Sequence, residues 1–176
     1  ENSLICKKNR MKEKTQILDK IQLQQKVNRL AWQIYEQNYS EKEIIVVGIE
    51  KRGVELSKRI SDVISSISDI KVINSTVKLD KENPFSSDII FSLDADSIEN
   101  RVVVLVDDVL NSGKTLIYAA KEFLSVPLKK LSTLVLVNRN HNRYPVKADY
   151  EGMSLSTTLQ EHINVVFGKE EGVYLS

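Results

Sequence analysis

The stretch Asp107-Asp108-Val109-Leu110-Asn111-Ser112-Gly113-Lys114-Thr115 sets two acids beside a short run of amide, hydroxyl, glycine and lysine residues. Ionised carboxylates only accept hydrogen bonds, which suits the hydroxyls of a sugar. Ser112 and Thr115 add hydroxyl donors, Lys114 adds charge, and Gly113 lets the backbone come close to a ligand. A helix opening near Lys114 would add unpaired N–H groups and the positive end of its dipole, which favour a phosphate dianion. The chemistry implied is a cradle for a phosphorylated sugar, with Asp107 and Asp108 at the ring and residues 109–115 at the phosphate. A Walker P-loop ending in Gly113-Lys114-Thr115 fails on its own pattern, because it needs glycine at position 108, where Asp stands. A capped helix with no ligand is the plainer alternative, but it leaves two adjacent acids without a structural use.

The elements around this loop have to place it at the end of a strand. Residues 101–106 (RVVVLV) read as a buried strand, and residues 114–125 as the helix that follows. Residues 43–48 and 131–138 read as further core strands, and 70–79, rich in β-branched residues, as another. Residues 15–38 show an apolar stripe at Leu23, Val27, Leu30, Ala31 and Ile34, and 53–66 a second, so both are expected to be helices. The polar segment 80–100 is expected to be a loop or flap, with a short strand at 89–93. Short strands are expected near 148–151, 163–167 and 172–175. This alternation predicts an α/β fold with a mostly parallel central sheet flanked by helices. Ligands in such sheets sit outside the carboxyl ends of the strands, where the acid pair falls.

Trp32 lies opposite the stripe of the first helix, beside Gln25, Arg29 and Glu36. It is expected to mark a contact surface or to lie under a loop. Gly48-Ile49-Glu50-Lys51-Arg52-Gly53 follows the first core strand, and its two glycines flank two cations. Close approach plus positive charge suits a second anion, although a strand–helix turn with solvated basic residues has the same composition.

Composition narrows the class. The chain has 176 residues, 41% hydrophobic and 28% charged, which suits one ordinary α/β domain. Its single cysteine, Cys6, allows no internal disulfide and makes a cytoplasmic location the default expectation. No apolar run is long enough to span a bilayer, so no membrane partner is expected. Net charge is +1, but residues 1–10 hold three basic residues and one acid. Taking these from the 25 basic and 24 acidic residues leaves 22 against 23, a net −1. Such a body does not favour strong nonspecific nucleic-acid binding. Met11 reads as a natural start, so residues 1–10 are expected to be an added leader or a disordered arm, and 11–176 one domain.

The acid-pair segment resembles the PRPP-binding motif of type I phosphoribosyltransferases. Within that family the chain is most similar to the PyrR type, pyrimidine attenuation regulators that are also uracil phosphoribosyltransferases. The segments carrying the similarity are MKEKTQILD (11–19), VGIEKRGVELSKRI (47–60), VLVDDVLNSGKT (104–115) and VNRNHNRYPVKADYEG (137–152). The resemblance implies transfer of a phosphoribosyl group from PRPP to a pyrimidine base, uracil first, with Mg²⁺ bound alongside PRPP. The alternative it leaves open is a nucleotide-sensing, mRNA-binding regulator with weak or no catalysis.

The resemblance also implies roles for particular residues. Asp107, Asp108 and Arg52 are catalytic, with the two acids reaching Mg²⁺ through PRPP and water. Val109, Leu110, Asn111, Ser112, Gly113, Lys114 and Thr115 hold the 5′-phosphate, and Glu50, Lys51, Arg52 and Gly53 the pyrophosphate. Asn138 and Arg139 contact the base, under a small hood formed by the region from Asn138 to Tyr150. Asn138 stands where relatives carry Asp, and Leu79 where they carry a flap arginine, with Lys78 and Lys81 as partial substitutes. His141 is a weaker candidate, and His162 carries no motif. Implied partners are PRPP, a pyrimidine base, a nucleoside monophosphate, an mRNA leader touched by Arg29 and Trp32, and a second copy in a homodimer or larger assembly.

Overall fold

The computed structural model describes residues 14–79, 90–158 and 160–176. The expectations for residues 1–10, for Asp80 and Lys81, and for 80–89 of the flap lie outside the described residues; in 90–100 the expected short strand is Ile90–Phe91, and a one-turn helix, Ala95–Ile98, stands where a loop is expected. The chain opens with β1 (Thr15–Leu18), then α1 (Lys20–Asn38), β2 (Glu43–Ile49), α2 (Glu50–Ile67) and β3 (Lys71–Lys78). It continues through β4 (Ile90–Phe91), α3 (Ala95–Ile98), β5 (Val102–Leu110), α4 (Lys114–Phe123) and β6 (Lys130–Asn138). It ends with β7 (Tyr150–Ser154), β8 (Ile163–Val166) and β9 (Gly172–Leu175).

Six strands form the central sheet in the order β4-β3-β2-β5-β6-β7. Every neighbouring pair is parallel except β3–β4. Successive residues of a strand face opposite ways, so the central runs feed two cores. Ile44, Val46, Val102, Val104 and Val106 pack with α1 and α2, including Leu30, Ile34, Leu56 and Ile60. Ile45, Val47, Val103 and Leu105 pack on the other face with Leu116, Ala119 and Phe123 of α4 and Ile98 of α3. This double burial is why β2, β5 and β6 read as nearly continuous apolar runs.

Two expected helix starts move. The first helix begins at Lys20, because Asp19 caps it in a reciprocal box with Gln22. Residues Thr15–Leu18 instead pair antiparallel with β9. The second helix begins at Glu50, with no intervening loop, and Glu50 takes a positive φ of 46° to make the turn. Strands β1, β9 and β8 form a separate three-stranded antiparallel sheet. This is the hood, and it is built from the two ends of the described chain. The expectation that 138–150 forms it is corrected.

Trp32 is 47% exposed and meets Tyr35 edge-on at 5.9 Å. Arg29 is not a free cation on that face, because its guanidinium donates to the carbonyls of Glu151 and Gly152 in β7. Among the described residues no helix is long and apolar enough to cross a membrane.

Candidate active site

The register between β5 and β6 decides where the acids sit. Pairing persists through Val109–Val137 and Leu110–Asn138, so β5 runs past the acid pair. Asp107 and Asp108 therefore lie inside the strand and not in the loop after it, and a rigid ladder fixes their backbone. They are 2% and 5% exposed. Asp107 Oδ1 accepts the Asp108 N–H at 3.0 Å, and Asp108 Oδ2 lies 3.5 Å from Arg52 Nη1. Both acids, Arg52 and residues 109–116 line one cavity of about 330 Å³.

The turn at 111–113 is held from behind. Gly113 has φ +81° and caps α4, and a Cβ there would lie 2.4 Å from Val146 Cγ1. Glycine is required both by that dihedral and by the lack of space. The Ser112 hydroxyl accepts the Lys114 N–H at 3.3 Å, closing a local side-chain turn just before the helix. The Ser112 carbonyl accepts the N–H groups of Arg143 and Tyr144 at 2.9 and 3.1 Å. Residues 140–146 thus buttress the turn, which is the task they perform in place of the expected hood. The first turn of α4 opens on the cavity, where its N–H groups and dipole favour an anion.

The expected pyrophosphate residues divide. Arg52 lines the cavity and faces the acid pair. Lys51 lines a neighbouring recess with Arg59 and the hood, while Glu50 and Lys51 border another recess with Thr76 and Lys78. Gly53 approaches protein and not ligand, since a Cβ on it would stand 2.6 Å from the Val106 carbonyl oxygen. That glycine lets α2 close onto β5. Leu79 is 3% exposed and packed in the second core, so no charge from that position reaches the site.

Asn138 does not border the cavity. It is 5% exposed, donates to Glu151 Oε1 at 2.8 Å and accepts the Asn140 N–H at 2.9 Å. Arg139 borders the cavity, but its guanidinium is engaged by Thr157 Oγ1, Asn111 Oδ1 and the carbonyls of Thr158 and Glu161. It joins the turn at 111–113 to the segment that enters the hood. His141 Nε2 lies 2.8 Å from the Thr157 carbonyl.

Sequence reasoning missed His162 and Ile163, which line the cavity from the hood. The available signal was position alone, a histidine directly before a short β-branched strand. The hood is tied to α2 by Arg59, whose guanidinium grips Glu171 and lies 4.8 Å over the Phe167 ring. The hydrogen bond from Arg59 holds the Glu171 carboxyl below its ordinary range, although burial pulls the other way. The Thr158 backbone N–H does the same for Glu161, with a smaller contribution from the Arg139 charge.

The chain matches known proteins over most of its length. The family model described as phosphoribosyl transferase domain matches residues 13–171. A protein of Enterococcus faecalis named bifunctional protein PyrR is 30% identical over 165 residues, covering 90% of this chain and 93% of that one. The protein of the same name from Clostridium acetobutylicum is 35% identical over 159 residues, covering 86% and 89%. A crystal structure of a hypoxanthine-guanine phosphoribosyltransferase from Bacillus anthracis superposes with a TM-score of 0.68 at 21% identity, over 80% of this chain and 82% of that one. The hypoxanthine phosphoribosyl transferase of Trypanosoma cruzi gives 0.70 at 16% identity, over 81% and 78%. At those identities the two structures speak for the fold.

Proposed function

Because the chain belongs to the phosphoribosyl transferase domain family, we propose that it transfers the phosphoribosyl group of PRPP to a pyrimidine base, uracil first, and releases diphosphate. The observation that carries this reading is the convergence of Asp107, Asp108, Arg52 and the turn 111–115 on one cavity of about 330 Å³.

The anomeric C–O bond breaks toward diphosphate as the ring-nitrogen bond of the base forms at the same carbon. The base nitrogen's proton leaves to solvent or to the departing diphosphate. No protein nucleophile is required, so catalysis is positioning and electrostatics. Asp107 and Asp108 hold the ribose hydroxyls, and their charge favours the cationic character that grows at the anomeric carbon. The turn and the first turn of α4 fix the 5′-phosphate. Arg52, held beside Asp108, meets the leaving diphosphate. The two buried carboxylates are hard oxygen acceptors that would hold Mg²⁺ through PRPP and water, and the ion would neutralise charge on the diphosphate. The buried Ile163 gives the cavity an apolar edge, with the exposed His162 beside it.

A second reading rests on Leu79. With an apolar core residue where a flap cation is expected, the protein would bind nucleotide and turn over slowly, acting as a PyrR-like sensor that binds an mRNA leader. One assay separates the two: diphosphate release from PRPP and Mg²⁺ with a panel of bases. Release with uracil, falling about 100-fold or more in Asp108→Asn, supports the enzyme. Silence with every base, together with measurable UMP binding and a UMP-dependent gel shift of a pyrimidine-operon leader, supports the sensor. Failure to bind either PRPP or UMP would remove both.

A further inference from the structure

Arg139 is a buried cation whose direct partners are all neutral. It is 5% exposed, and its guanidinium meets one hydroxyl, one amide oxygen and two carbonyls at 2.7–3.2 Å. Among the described residues no carboxylate forms an ion pair with it. Glu161 is close enough to feel its charge, but that carboxylate accepts the Thr158 backbone N–H. A desolvated charge with neutral direct partners and only one carboxylate in its field is incompletely compensated, and a bound anion adds to that compensation.

Arg139 also stands where two spaces meet. Beyond the catalytic cavity lies a recess of about 510 Å³. The recess shares Asn111, Ser112, Arg139 and His162 with that cavity and continues along His141 to Arg143. The catalytic cavity contains two acids, whereas the recess is lined by arginine, histidine, amide and hydroxyl groups and has no carboxylate. Its wall is part of the phosphate turn, because the Ser112 carbonyl accepts the Arg143 N–H and His141 is fixed to Thr157. Asn140 holds a positive φ of 57° at the bend, a conformation retained where the surroundings enforce it.

We propose that this recess is a second phosphate subsite. It takes the outer phosphates of a nucleoside di- or triphosphate whose first phosphate lies on residues 111–115. The inference rests on the sugar-phosphate reading of that turn. Arg139 supplies the fixed charge at the junction, and the exposed Arg143 supplies a mobile guanidinium fork able to grip phosphate oxygens. Free phosphate or diphosphate is the other source of the same chemistry.

The test is calorimetry on the full chain at constant Mg²⁺ with UMP, UDP, UTP, orotidine 5′-monophosphate, and UMP and UDP each in saturating diphosphate. The variants are Arg143→Gln and Arg143→Glu. UDP and UTP are expected to bind about tenfold more tightly than UMP, as one added charge-assisted contact provides. Arg143→Gln should erase that gain and leave UMP within about twofold of the parent, since Arg143 touches the turn only through its backbone. Arg143→Glu should make UDP the weaker ligand. Equal affinities for the three nucleotides, or a gain that survives both variants, overturn the proposal. Free diphosphate that does not compete with UMP yet abolishes the UDP gain supports it. A gain shown by orotidine 5′-monophosphate and lost in Arg143→Gln overturns it in favour of a recess that reads the base. If UMP and PRPP both fail to bind, the underlying reading of the turn has failed, a result distinct from UMP binding without a polyphosphate gain.

Discussion

The phosphate turn is held by its own backbone, whereas the hood reaches the central sheet through a small apolar underside and a few side chains. Behind the turn, the Ser112 carbonyl takes two N–H groups, the Arg139 N–H bonds Leu110, and Gly113 sits in a dihedral that glycine alone adopts readily. The hood contributes Leu18, Ile163, Val165 and Val173 to the core, and its polar ties run through Arg59–Glu171 and the Arg139 guanidinium. Gripping a phosphate needs groups fixed in advance, while a cover over a reacting centre has to open and close. One molecule therefore carries a stiff wall and a looser one on two sides of the same cavity.

Substitution at Gly113 gives the largest expected effect, because it attacks the stiff wall directly. In Gly113→Ala the new methyl meets Val146 Cγ1 and the backbone is forced out of a left-handed dihedral. Relaxing the turn should weaken PRPP and UMP binding by about 1–3 kcal/mol, roughly ten- to a hundredfold by calorimetry. Adding Val146→Ala removes the clash but not the dihedral strain, so it should recover part of the loss. Parental affinity in Gly113→Ala would mean that the turn is not rigid, and the contrast between the two walls would vanish.

Glu171→Gln tests the looser wall, with a smaller effect of a different kind. The Glu171 side chain is 5% exposed and its charge is matched to Arg59, which is 22% exposed. Losing a charge-assisted pair while keeping one hydrogen bond should lower stability by about 1–2 kcal/mol. Calorimetric unfolding reads that loss. PRPP affinity should stay within about twofold, because the phosphate turn is untouched, while turnover changes as the hood loosens. A change in phosphate affinity as large as that of Gly113→Ala would show that the walls are coupled.

Much of the stiff wall was legible because its signals are local. Apolar runs announced β2, β5 and β6, and the acid pair with its glycine turn lines the cavity on which the proposed function rests. The exact end of β5 was not legible, because it depends on Val109 and Leu110 finding partners in β6. The looser wall left little local trace. Thr15–Leu18 is a four-residue strand whose partner, β9, lies at the far end of the chain, and locally it looks like an extension of the helical stripe that follows it. His162 joins the cavity for the same nonlocal reason. Gly53 was legible as a necessary glycine but not for its purpose, since its neighbour is the Val106 carbonyl of another strand. Arg139 was placed at the cavity, yet its four neutral acceptors come from Asn111 and the 157–161 segment, and no spacing rule joins those to it.

Acid gives the smallest and most selective test of the same contrast. The Glu171 carboxyl is held below its ordinary value of 4.5, chiefly by the Arg59 hydrogen bond. A group whose pKa is lower folded than unfolded stabilises the fold above its unfolded value and loses that contribution as pH falls through the folded one. The hood tie should therefore be intact at pH 6 and weaken progressively below about 4.5. Glu43 is depressed too, chiefly by Lys71, but it sits at the opposite, amino-terminal end of β2, so its protonation acts away from the hood. Hydrogen exchange followed by peptide, corrected for the intrinsic pH dependence of exchange, should show residues 163–175 losing protection at a higher pH than 102–116. In Glu171→Gln that carboxylate is gone and the hood's excess sensitivity should shrink to the part that Glu161, held low by the Thr158 backbone N–H at the entry to the hood, still supplies. Simultaneous loss of protection in both segments would mean that the hood and the phosphate turn unfold as one unit, whatever the difference in their local bonding.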